Sequence, residues 1–158
     1  VEEVIWLDEL ELRAWRSLLS AHRRLLQRLD AELQATQHMS ASDYGVLVEL
    51  SEAPDGAMRM SELADRLLLS PSGLTRRLDT LVEEGWIDRI RCDTDRRGSY
   101  AVLTPAGRAR LEKAAPDHVE QVRRNFVELL SRTQLAQLAD ALEAITDGET
   151  CPGPAPSH

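Results

Sequence analysis

Apolar residues return at three- and four-residue steps near the start of the chain. Trp15, Leu18, Leu19, His22, Leu25, Leu26, Leu29 and Leu33 form one stripe, the mark of a helix with an apolar side, predicted over 7–34. Such a helix is too long for one small lobe to cover. The stripe is either an ordinary amphipathic face or a surface that also packs on a second subunit. The other end of the chain repeats the pattern. Thr104 and Pro105 form a helix start, with Thr as cap and Pro where a missing N–H costs nothing. Leu111, Ala115, Val119, Val122, Phe126 and Leu129 follow as a second stripe. Ser131 with Gln134 reads as a capping box opening a third, through Leu135, Leu138, Leu142 and Ile145. Beyond Asp147, GETCPGPAPSH is rich in Gly and Pro and predicts a loose tail over 148–158.

The middle of the chain is built from shorter pieces. Ser40 or Ser42 caps a helix holding Tyr44, Val46, Leu47 and Leu50; Pro54, Asp55 and Gly56 make a turn; a brief strand is expected over 57–60. Ser61 is expected to cap a helix over 62–67, and a second helix runs over 71–84 to Gly85, which can supply a left-handed cap. The period then changes from helical to extended, giving strands over 86–91 and 99–103 around a polar loop. The predicted fold class is mainly α with a small β-hairpin wing: a winged helix-turn-helix, in which a helix fits the major groove and the hairpin reaches the backbone or minor groove.

At about 100° per residue, Leu74, Leu78, Leu81 and Val82 cluster on one side of the 71–84 helix. Arg76 stands opposite, flanked by Ser72, Gly73, Asp79 and Thr80, with Thr75 and Arg77 at the borders. Small and hydroxylic residues let the helix start approach base edges or phosphate, where its free N–H groups favour an anion. An arginine there can fork onto guanine or grip a phosphate. Such a face is also what any solvated helix shows, so its weight comes from the neighbouring hairpin, whose tip holds Asp95, Arg96 and Arg97.

Composition narrows the classes. The 158 residues are 42% hydrophobic and 29% charged, ordinary for a globular chain. There is no apolar run of membrane-spanning length, and Cys92 and Cys151 lack metal-ligand spacing, so a reducing, cytoplasmic setting is expected. The net charge of −8 argues against nucleic acid until it is located. Eight Arg and eight acids balance between residues 59 and 100, so the excess acid lies elsewhere. No nucleophile–base set, paired catalytic carboxylates or phosphate-cradling loop can be placed. The expectation is a protein that is not an enzyme and uses no cofactor or metal.

The stretch 60–108, MSELADRLLLSPSGLTRRLDTLVEEGWIDRIRCDTDRRGSYAVLTPAGR, resembles the DNA-binding core of the MarR family of bacterial transcriptional regulators. The resemblance rests on SELA, LSPSGLTR, and DRR followed by AVLTPAG, in order and spacing, and extends from about Trp15 through Ile145. It implies one domain over 1–150, with dimerisation helices at 7–36 and 105–146, a winged helix-turn-helix at 42–104, and a homodimer on a pseudo-palindromic duplex. It places Ser72, Thr75 and Arg76 toward the major groove and Arg96, with Asp95 beside it, at the minor groove; the helix face and hairpin tip add Ser70, Gly73, Arg77, Thr80 and Arg97 to the DNA-facing candidates. It also implies repression relieved by a small aromatic or phenolic ligand, in a cleft whose lining would include Trp15, Arg16, His22 and Tyr44. Those four are equally explained as core or interface residues. Two positions depart from the family pattern: Trp86 replaces the usual Leu, and Asp93 stands where Pro is frequent. A winged-helix protein-interaction module without specific DNA binding is the alternative, since a fold alone does not fix function.

Overall fold

The computed structural model describes residues 4–91 and 99–146. The chain divides into two compact units, Val1–Gln121 and Val122–His158. In the first unit, α1 (Glu9–Gln37) opens with a reciprocal cap. Asp8 accepts from the Glu11 amide at 2.9 Å, and Glu11 returns a carboxylate to the Asp8 amide at 2.8 Å. Then come α2 (Ala41–Glu52), capped by Ser40, a single 3-10 turn (Pro54–Gly56), and β1 (Ala57–Arg59). Next are α3 (Met60–Arg66), α4 (Pro71–Glu83), β2 (Ile87–Arg91), β3 (Ser99–Leu103) and α5 (Pro105–Asn125).

The expected hairpin belongs to a three-stranded antiparallel sheet in the order β1-β3-β2, with Ala57 opposite Val102 and Ile87 opposite Leu103. The brief first strand thus closes the far edge of β3. Leu33 of α1, Leu47 and Leu50 of α2, Leu63 of α3, and Leu74, Leu78 and Leu81 of α4 meet Ile87 and Ala101 in one buried cluster. Each such leucine contributes about 1.5–3 kcal/mol by leaving water.

Three details differ from the sequence expectation. Ser61 does not cap α3: the helix starts at Met60 straight off β1, with Arg59 at the cap position and no side chain capping the first amides. Val82 lies at the rim of the apolar side of α4 and is 38% exposed. The inward side of α5 is Gly107, Leu111, Ala114 and Gln121, while Val119 of the expected stripe is 56% exposed. Leu111 is common to both; Gly107, Ala114 and the polar Gln121 carry too little apolar character to extend a stripe along this side.

In α1 only Leu29 and Leu33 of the long stripe are buried; Trp15, Leu18, Leu19 and Leu26 stay exposed. The helix ends at His38 in the left-handed conformation, φ 51°. The second unit holds the last residues of α5, a 3-10 turn (Val127–Leu129), and α6 (Arg132–Thr146). Its capping box is formed as expected: the Ser131 amide donates to Gln134 at 2.9 Å and the Gln134 amide to Ser131 at 3.3 Å. Among the described residues, no helix is long and apolar enough to cross a membrane.

Candidate nucleic-acid interface

The helix-turn-helix is made by α3 and α4, and its turn passes through Leu68 at φ 52°. Ser70 then caps α4, its Oγ accepting from the Gly73 amide at 3.1 Å. Pro71 occupies the first turn, where no N–H is needed. A Cβ on Gly73 would sit 3.1 Å from Ser70 Oγ, tight enough to disturb the cap. Ser72 Oγ lies 3.3 Å from Ser70 Oγ, and Thr75 Oγ1 donates to the Pro71 carbonyl at 2.9 Å. The start of α4 is therefore small, hydroxylic and closely organised.

Leu74, Leu78 and Leu81 face the core, and Ser72, Gly73, Thr75, Arg76 and Thr80 are exposed. Arg77 differs from them. Its Nη1 lies 3.0 Å from Asp43 Oδ1 of α2, its side chain is half-buried, and its Nε is enclosed without a hydrogen-bond acceptor. This arginine joins the two helices. The wing-tip candidates Asp95, Arg96 and Arg97 lie outside the described residues, as do Cys92 and Asp93.

A residue that sequence reading missed enters from β2. Arg89 places Nη1 2.8 Å from Asp79 Oδ1 and donates from Nη2 to the Thr75 carbonyl at 2.7 Å. It neutralises the carboxylate on the outward face of α4 and fixes the wing's first strand to that helix. The available signal was Asp79 itself, an acid close to the small, hydroxylic start of the helix, which calls for a cation nearby.

The carboxyl end of α4 is held as closely. Gly85 takes φ +72° and the Trp86 amide donates to the Leu81 carbonyl at 2.9 Å. Thr104 donates from its hydroxyl to the Gly85 carbonyl at 2.7 Å and from its amide to the Trp86 carbonyl at 3.1 Å, while capping α5 through the Gly107 amide. A Cβ on Gly107 would fall 2.0 Å from the Trp86 carbonyl oxygen, so only glycine admits this approach.

Beside that junction is a cleft of about 480 Å³ between the end of α1, the start of α2, the end of α4 and α5. Its walls include Gln37, Asp43, Glu84, Trp86, Arg110 and Lys113. The four ligand candidates from sequence do not line it. Trp15, Arg16 and His22 are exposed on α1, and at 1.5 Å per residue Trp15 is about 28 Å along the axis from Gln34. Tyr44 is buried, its ring 4.4 Å from that of His118. Burial pushes the Tyr44 phenol up and the His118 imidazole down from their ordinary ranges. Among the described residues, no group of three His, Cys, Asp or Glu is placed to hold a metal ion.

Two short helices, a three-stranded sheet and an outward helix face define a winged helix-turn-helix protein. The family model of the MarR family matches residues 39–98. The chain is 38% identical in sequence to AbsC, a MarR family transcriptional regulator from Streptomyces coelicolor. That match has a TM-score of 0.84 and covers 92% of this chain and 97% of the other. It is 34% identical to Sco3205 from the same organism, another MarR family regulator, whose structure was determined in complex with DNA. Here the TM-score is 0.88, with 96% and 95% coverage. It is also 32% identical to the transcriptional regulator PecS of Dickeya dadantii over 107 residues, 66% of this chain but 64% of PecS, a little under two thirds of that relative. The chain belongs to the MarR family of transcriptional regulators, a non-enzymatic family.

Proposed function

We propose that this chain is a homodimeric, sequence-specific binder of double-stranded DNA that represses transcription and is released by a small aromatic ligand. The observation that carries the reading is the outward face of α4. Arg76 is exposed at its centre among Ser72, Gly73, Thr75 and Thr80; of the two acids on that face, Asp79 is matched by Arg89 and Glu83 lies at the far, carboxyl end of the helix. A guanidinium so placed can take guanine O6 and N7 or a phosphate, and the small residues let the helix start come close to the groove floor. Asp95, Arg96 and Arg97 complete the interface from the wing. Arg77 and Ser70 serve it from behind, one bracing α4 on α2 and the other capping it.

Dimerisation is supported by the exposed apolar stripe of α1. Leu18, Leu19 and Leu26 would each be hidden by a second copy. Two-fold symmetry then calls for a pseudo-palindromic site with half-sites about 34–36 Å apart, one turn of duplex. The ligand is supported by the cleft, whose walls include Lys113 as a cation beside the Trp86 ring that Arg110 already covers.

Selection of bound sequences from random duplex DNA tests the proposal. A recurring palindrome is expected, and Arg76→Ala should weaken binding to it while the chain stays dimeric and helical. Recovery of no common sequence, with capture of a protein partner instead, would favour the interaction-module reading that the −8 charge suggests.

A further inference from the structure

We infer that Arg110 is a positioning residue for the recognition helix: its guanidinium clasps the end of α1 to Trp86, and so fixes the angle at which α4 is offered to DNA. This rests on the DNA-binding reading of α4.

Helix α1 ends without a basic residue in its last turn, although its final carbonyls carry the negative end of the helix dipole. Arg110 supplies the missing cation from α5. Its Nη2 donates to the main-chain carbonyl of Gln37, and its Nη1 to the Gln37 side-chain oxygen at 3.2 Å. The Gln37 amide group in turn donates to Asp117, seven residues along the same side of α5. Gln37 is thereby gripped at two levels of one helix. The same guanidinium lies over the Trp86 ring, with Cζ 5.2 Å from the ring centroid. A planar, delocalised cation can stack and fork at once; an ammonium cannot.

Trp86 is the second residue beyond the cap of α4. Gly85 and Trp86 are already bound to the start of α5 through Thr104, with Gly107 in close approach. The first two turns of α5 thus run as a short rigid lever from the end of α4 to the end of α1. Arg110 is where the lever meets both a side chain of the DNA-reading lobe and the terminus of the long helix. Without it, Trp86 and the α1 terminus lose their shared partner, and α4 can swing relative to α1. Arg110 lies at the far end of α4 from Ser70 and Arg76, so it has no part in the groove itself.

The test uses the full chain and the duplex recovered by selection, with affinity measured by fluorescence anisotropy across salt from about 50 to 200 mM. Arg110→Ala is expected to weaken binding about tenfold or more with an unchanged slope of log affinity against log salt. Arg76→Ala is the contrast, lowering the slope by about one if Arg76 holds a phosphate. Arg110→Lys keeps the charge and should recover little of the loss. Trp86→Leu should weaken binding comparably, and the double variant with Arg110→Ala should be no weaker than either single one. Should Arg110→Ala fail to fold, Arg110→Lys and Trp86→Leu give the same comparison. Parent-like affinity for Arg110→Ala, full rescue by Arg110→Lys, or a slope reduced by about one would each overturn the inference while leaving the DNA reading intact. A parent chain that selects no duplex overturns both.

Discussion

Arg89 of β2 sets its Nη1 2.8 Å from Oδ1 of Asp79 on α4, so the wing's first strand neutralises an acid on the helix face proposed to meet DNA. The pair is partly exposed, and its direct share of folding stability is about 1 kcal/mol at most. Its larger effect is on binding. Arg89→Ala leaves Asp79 bare against the phosphates and frees the Thr75 carbonyl. We expect little change in melting temperature and about a tenfold loss of operator affinity, the equivalent of about 1.4 kcal/mol. Asp79→Asn in the same chain should return most of that loss. Anisotropy titrations of both variants check this, and an Arg89→Ala protein of parent affinity would remove Arg89 from the interface.

Gly107 gives a stability prediction. A methyl group there would meet the Trp86 carbonyl oxygen at 2.0 Å and Leu103 Cδ1 at 2.8 Å. The nearer obstacle is main chain and cannot rotate away. Gly107→Ala should destabilise the first unit by about 1–3 kcal/mol, the usual range for overpacking, although alanine favours helix. Urea denaturation followed by circular dichroism measures it, and an unchanged midpoint would mean that α5 can slide off Trp86 freely.

These contacts show where sequence reading reached and where it stopped. Local chemistry was legible: Thr104 with Pro105, Ser131 with Gln134, and Gly85 each announce a helix end within a few residues. The outward face of α4 was legible too, because Leu74, Leu78 and Leu81 leave Arg76 only one direction. Contacts set by tertiary packing were not. Arg89 to Asp79, Arg77 to Asp43 and Arg110 to Gln37 join residues 10, 34 and 73 apart, and nothing in their local pattern names the partner. The cleft of the single chain was out of reach for the same reason. Trp15, Arg16 and His22 suggest a pocket by chemistry, but the pitch of α1 carries them away from the cleft that Gln37 and Trp86 line.

The exposed stripe of α1 predicts the effect of charge on assembly. Leu18 and Leu26 are 38% and 49% exposed in the single chain, and if a second copy covers them each is worth about 1–2 kcal/mol per subunit, from the apolar area it hides. Leu26→Asp should convert the proposed dimer to monomer at micromolar concentration in sedimentation experiments, with helicity of the winged lobe kept. Operator affinity should fall steeply, because a monomer engages only one half-site. A variant that stays dimeric would place the interface elsewhere.

Acid should act through His118. Its imidazole sits against the Tyr44 ring at 4.4 Å with Nδ1 enclosed and lacking a hydrogen-bond partner, and burial lowers its pKa below the ordinary 6.5. The unfolded chain therefore takes up a proton at a higher pH than the folded one. Stability rises with pH wherever the unfolded state binds more protons, so the contribution of His118 is complete above about pH 6.5. It is lost progressively as pH falls through 6.5 towards the lower folded value. Urea midpoints measured between about pH 5 and 8 should decline on the acid side in the parent chain. His118→Phe keeps a ring against Tyr44 without a titrating group, and should flatten that decline while the other histidines remain. An equally steep decline in the variant would show that acid sensitivity arises from another group.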